Sequence, residues 1–369
     1  MTKKVGVGVI GCGNISGIYL KNLSQIFHNV DVIACADLIL ERAKDRSKEF
    51  NISKVYSVEE LLNDPDIQIV LNLTIPKVHA EVSLSALKAG KNVYAEKPMA
   101  INTEDGKTIL KLARENKLLV GGAPDTFLGG GIQTCRKLID DGWIGEPIGA
   151  TAFMLCHGHE SWHPDPEFYY KFGGGPMFDM GPYYLTALIN LIGPVKRVSG
   201  TTKISFPERT ITSQPKYGTK IKVDVPTHIA GIMEFANGAI GTIITSFDVW
   251  NTKLPHMEIY GTEGTLLVPD PNTFGGPIYL QRMNSSEWSE IPLTHNYIEN
   301  SRGIGVADMA YALISGRLHR ANGELTYHVL EIMNGFHVSA STGEHYTLKS
   351  TCKRPEPLPM GLLKGTLDE

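Results

Sequence analysis

Residues 5–16 read VGVGVIGCGNIS, and the expected fold of the first third of the chain follows from them. Val5 to Ile10 is a short apolar, β-branched run, which predicts a buried strand. IYLKNLSQIF, residues 18–27, has the apolar spacing of a helix. A strand that runs straight into a helix needs a tight corner, and Gly11 permits one. Gly13 lets backbone N–H groups approach a diphosphate at the helix N-terminus, with Asn14 and Ile15 completing the loop. The third position of such a glycine pattern is Ser16 here.

The next β-rich run, VDVIACAD, ends on Asp37. A carboxylate about twenty residues beyond the glycines accepts hydrogen bonds from the adenosine ribose and repels a 2′-phosphate. The spacing therefore predicts NAD rather than NADP as cofactor. IQIVLNLT, KNVYAEK and KLLVGGA continue the strands, with helical segments between them. Strands alternating with helices predict a doubly wound parallel sheet, a Rossmann domain over residues 1–123. Beyond it the texture changes to long strands joined by turns such as ANGA and GTEGT, with helices at either end. Residues 124–369 are expected to form an α+β domain with a large, open, mainly antiparallel sheet. The fold class is α/β.

Composition narrows the function. A net charge of −4 gives no electrostatic case for nucleic acid or an anionic membrane as partner. Lysines ahead of an apolar run in MTKKVGVGVIG imitate a signal peptide, but the run is glycine-rich and lacks a small-residue cleavage site. No stretch has the apolar length needed to span a bilayer. The five cysteines form no CxxC pair, as in a reducing compartment, so a cytoplasmic location is expected.

Further candidates cluster at expected strand ends, where ligands bind in such sheets. LTIPKVHAEV places Thr74, Pro76 and His79 there, and YAEKPMA places Glu96 and Lys97 beside the expected nicotinamide. In GGGPMFDMGPYY, residues 173–184, Pro182 is tolerated within the first turn of a helix. Asp179 is then expected to cap that helix, and Tyr183 to emerge one turn later on the same side. In CHGHESWHPDPEFYY, residues 156–170, His157 and His159 are expected to share one face of a strand. The stretch reads as a sugar pocket, with Trp162 stacking on a ring and His159 and His163 binding hydroxyls. Asp125 is expected near the same cleft, and Tyr297 and Arg302 are weaker candidates.

The ordered set GCGN, Asp37, TIPKVH, AEKP, GGGPMFDMGPYY, HMEIYGTEGTLLVPD and SRGIGVADMAYAL resembles the glucose–fructose oxidoreductase/inositol dehydrogenase/MocA family over nearly the whole chain. The resemblance implies hydride transfer between NAD and a secondary alcohol of a sugar, cyclitol or glycoside. It makes Lys97 catalytic and maps the family's Asp-x-Gly-x-His motif onto Asp179, Gly181 and Tyr183. Tyrosine replaces the motif histidine, as in the branch containing glucose–fructose oxidoreductase and dihydrodiol dehydrogenase, and Thr186 replaces a later aspartate. Lys97 and Tyr183 are expected both to acidify beside the positively charged oxidised cofactor, with Lys97 as a cation stabilising a Tyr183 phenolate, and no metal is required. The resemblance also implies a homodimer or homotetramer through the C-terminal sheet. Two rivals remain: a glycosidase that uses NAD transiently, and an NAD-binding sensor that has lost catalysis.

Overall fold

The structure, a computed structural model, describes residues 4–368. Six parallel strands form the first sheet: β1 (Val5–Ile10), β2 (Val30–Ala36), β3 (Lys54–Val55), β4 (Ile69–Asn72), β5 (Asn92–Ala95) and β6 (Val120–Gly122). Their order is β3-β2-β1-β4-β5-β6, so the winding reverses between β1 and β4. A crevice opens at such a switch point, outside the carboxyl ends of the strands. β1, β4 and β5 are buried throughout, as expected of strands covered by helices on both faces. The edge strand β3 has two half-buried residues, too few to leave a sequence pattern.

The second sheet has nine strands. Its centre pairs Pro147–Leu155 in parallel with Ile240–Ser246, and every other neighbouring pair is antiparallel. Helix Gly323–Thr342 packs against strand Val195–Lys203. Its Phe336 lies so close that a Cβ at Gly231 would sit 2.3 Å from the ring. The other face of the sheet is left open, with Ile232 and Ile240 more than half exposed. No helix among the described residues is long and apolar enough to cross a membrane.

One local expectation fails. The strand containing IGATAFML stops at Leu155, and Gly158 takes a positive φ of 77° that turns the chain. His157 then stacks on Trp250 with ring centroids 3.5 Å apart, while His159 turns to Asp179. The two histidines do not share a strand face.

Candidate active site

The dinucleotide corner is built around close backbone approach. Gly11 has a φ of 100°, and a Cβ there would lie 2.6 Å from the carbonyl of Leu73. Ser16 fills the third glycine position by donating its hydroxyl to the Gly13 carbonyl at 2.6 Å. Arg46 also reaches that carbonyl and Ser16 Oγ. A cleft of about 460 Å³ lies here, lined by Cys12, Gly13, Asn14, Arg42, Asp45 and Arg46. The two arginines were not singled out from sequence, because their helical spacing reads as an ordinary solvated face. Asp37 follows β2 and accepts the amides of Cys12 (2.7 Å) and Ile39 (2.8 Å), which ties the glycine loop to the strand end.

Around β4 and β5, side chains expected at the cofactor turn inward. His79 is 1% exposed, and its ring nitrogens lie 2.7 and 2.8 Å from the carbonyls of Pro98 and Thr74. It stitches the two strand ends together rather than facing the crevice. Glu96 is buried and accepts the Tyr19 hydroxyl at 2.7 Å and the Lys97 amide at 3.0 Å. Thr74 donates to Asn72 Oδ1, and Pro76 opens the short turn that follows β4. Asp125 is likewise not in the cleft. It is fully buried and accepts the amides of Gly303 and Gly305 at the start of helix Ile304–Ser315.

Lys97 lies two residues beyond β5 and meets the second sheet's domain. Its Nζ donates to Asp179 Oδ1 at 2.7 Å and to the Asp179 carbonyl at 2.6 Å. Asp179 ends the short helix Pro176–Asp179 and does not cap the next one, Gly181–Leu191, whose N-cap position is Met180 without a side-chain cap. Its carboxylate is occupied instead: Oδ2 accepts His159 Nε2 at 3.1 Å. Burial alone would raise Asp179 and lower Lys97. Mutual attraction outweighs it, so the carboxyl lies well below its usual range and the ammonium above its own.

Tyr183, 7% exposed, places its ring 5.4 Å from Lys97 Nζ and 6.0 Å from the Arg302 guanidinium. Burial pushes the phenol up, and the pull of Lys97 and Arg302 does not reverse it. In the protein without cofactor, these surroundings favour Lys97 as a cation and Tyr183 as a neutral phenol; the acidification expected beside oxidised nicotinamide belongs to the loaded enzyme. Tyr184 is a core residue, hydrogen-bonded to His256 Nδ1 at 3.0 Å.

An aromatic wall leads outward from this cluster. His159 packs against Tyr169 (4.1 Å), Phe247 (4.7 Å) and Trp162 (5.2 Å), and His163 contacts Trp162, Tyr169 and Phe168. Trp162 is 61% exposed. Arg209, buried between Glu160 at 2.9 Å and Asp248 at 2.5 Å, braces the wall from behind. Sequence reasoning missed this ion cluster because its members lie 49 and 39 positions apart, with no local signature.

The description "Oxidoreductase family, NAD-binding Rossmann fold" matches residues 5–122, and "GFO/IDH/MocA C-terminal domain" matches residues 132–267. The chain belongs to the GFO/IDH/MocA family. A family relative, trans-1,2-dihydrobenzene-1,2-diol dehydrogenase of Xenopus tropicalis, is 31% identical over 305 residues, covering 81% of this chain and 85% of its own. Levoglucosan dehydrogenase of Pseudarthrobacter phenanthrenivorans is 25% identical over 245 residues; that match spans 62% of each chain. The fold of a levoglucosan dehydrogenase in complex with NADH superposes with a TM-score of 0.81 at 20% identity, over 94% of this chain and 100% of that one.

The cofactor of this GFO/IDH/MocA protein is NAD, and its residues fit the group. A Cβ at Gly13 would meet no protein atom within 4 Å, so packing within the chain does not explain that glycine. Space for a pyrophosphate at the helix N-terminus does.

Proposed function

We propose that the protein is an NAD-dependent dehydrogenase that oxidises a secondary alcohol of a sugar, cyclitol or glycoside to a ketone. The observation that carries this reading is the half-buried Lys97–Asp179 ion pair just beyond β5, faced by the ring of Tyr183. A fixed cation in a poorly solvated site stabilises the alkoxide that develops on the reacting oxygen. Lys97 supplies that charge, Asp179 aims it, and the Tyr183 hydroxyl hydrogen-bonds the same oxygen. Gly11, Gly13, Asn14 and Ile15 receive the pyrophosphate, and Asp37 the ribose. Thr74, Pro76 and Glu96 shape the crevice by the nicotinamide, and His79 holds it in shape. When bound, NAD supplies the hydride acceptor.

The aromatic wall supports this substrate class. Trp162 offers an exposed ring face, and His159 and His163 offer nitrogens beside it, a combination suited to a hydroxylated ring. The named activities of the relatives, on levoglucosan and a dihydrodiol, are of the same chemical kind. The reading includes a division at residue 123/124 between cofactor and substrate domains. It also includes a homodimer or homotetramer through the open sheet face, where Ile232 and Ile240 are exposed. An Ile240→Lys variant is expected to sediment as a smaller species.

The deciding experiment is a screen of sugars, inositols and glycosides with NAD, read by NADH absorbance. Stoichiometric NADH and ketone are expected. Cleavage of a glycoside without NADH release overturns the reading in favour of transient ring oxidation, and no reaction with any alcohol overturns it outright.

A further inference from the structure

A histidine outside the stretch that carries Asp179 and Tyr183 reaches the Lys97–Asp179 pair: His159 Nε2 lies 3.1 Å from Asp179 Oδ2. We propose that His159, oriented by Asp179, is the base that takes the alcohol's proton. This rests on the dehydrogenase reading above and assigns its missing group.

The two residues expected to serve as base are unsuited to it. Lys97 spends two of its three donors on Asp179, and removing its proton would leave that half-buried carboxylate without its cation. Tyr183 sits in surroundings that favour the neutral phenol. His159 differs. An ionised carboxylate only accepts, so the 3.1 Å contact with Asp179 Oδ2 requires the imidazole to carry its proton on Nε2. Nδ1 is then left with its lone pair. It makes no hydrogen bond to the described protein and is not sealed away from solvent.

The groups packed against the ring are aromatic. Tyr169 from the turn Pro166–Tyr170, Phe247 after strand Ile240–Ser246, and Trp162 present aromatic rings. His163 accepts the Asp165 amide. Glu160 is turned away to Arg209 and Tyr170. Among the described residues, Asp179 is the one charged group hydrogen-bonded to the ring, with Lys97 on its other oxygen. In oxidation, the alcohol O–H bond breaks and its proton passes to Nδ1, giving an imidazolium paired with Asp179. The C–H bond breaks with its electron pair leaving as hydride to the oxidised nicotinamide, and the C=O bond forms. Lys97 and Tyr183 hold the oxygen throughout. Reduction runs the same steps backwards.

Two measurements test this. In the cofactor-free protein, nitrogen-15 NMR of the histidine rings, with His159 assigned by its loss in His159→Gln, should show neutral His159 protonated on Nε2. Asp179→Asn should weaken that preference. Protonation on Nδ1 in the parent overturns the proposal whether or not any alcohol is oxidised. In the holoenzyme, kcat/KM for the oxidised alcohol should fall at acid pH as an imidazole protonates. His159→Gln should lose about 10²–10⁴-fold together with that acid limb. Added imidazole should restore part of the activity of His159→Gly. An unchanged acid limb in His159→Gln, or no rescue of a folded His159→Gly, overturns the base assignment alone. Absence of NAD-linked turnover in the parent overturns the preceding reading and this one with it.

Discussion

Lys97 and Asp179 are joined twice, with Nζ 2.7 Å from Oδ1 and 2.6 Å from the backbone carbonyl of the same residue. The side-chain contact alone would leave the ammonium free to swing about the carboxylate. The second contact fixes its direction, across 82 positions of sequence.

Lys97→Met removes the cation and keeps most of the side chain's volume. His159 still donates to Asp179, so the carboxylate is not left without a partner and the fold should persist. We expect kcat/KM to fall at least about 100-fold, or about 2.7 kcal/mol of barrier, with NAD affinity changed little. Retention of activity within about tenfold, measured with NAD saturating, would remove Lys97 from the chemistry.

Tyr183→Phe deletes one hydroxyl. Loss of a hydrogen bond to the developing alkoxide costs about 10²–10³ in kcat. Because the phenol is held neutral, the acid limb of the pH–rate profile should be unchanged. Tyr184→Phe is the control: its hydroxyl bonds the exposed His256 away from Lys97, so about 1 kcal/mol of stability should be lost while kcat stays at the parent value. Equal kcat in both variants would make Tyr183 a packing residue.

Asp37 serves the loop and the ribose at once. Asp37→Ala frees the amides of Cys12 and Ile39 and removes the carboxylate that would repel a 2′-phosphate. NAD affinity should weaken about tenfold or more, and the ratio of kcat/KM for NAD over NADP should fall sharply. An unchanged ratio would place cofactor choice elsewhere.

Asp125 predicts a pH effect of unusual sign. Burial, only partly offset by two amides and Arg302, pushes its carboxyl up to about 6. The folded protein therefore binds this proton more tightly than the unfolded chain does between about pH 4 and 6. The resulting stabilisation is present below about pH 4 and lost as pH rises through 6. Asp125→Asn keeps an acceptor for Gly303 and Gly305 and does not titrate. Relative to the parent it should gain stability across that window, by up to about 3 kcal/mol. Parallel Tm curves for parent and variant from pH 4 to 7 would contradict this.

The sequence by itself determined the parts that depend on neighbours along the chain. The strand, glycine corner and helix at residues 5–25 and the carboxylate ending β2 are short-range patterns, because a turn at Gly11 and the strand period of two need only local residues. The hairpins around ANGA and GTEGT were legible for the same reason. Only the tertiary structure decided which polar groups face the crevice and in what protonation state. Asp125, Glu96 and His79 look like ligands in one dimension, yet each is turned to amides, a phenol or carbonyls that are distant or invisible in sequence. Asp179 reads as a helix cap until Lys97 and His159, 82 and 20 positions away, take its two oxygens. A carboxylate's partners, and with them its pKa and that of its lysine, are set by burial and distance in space.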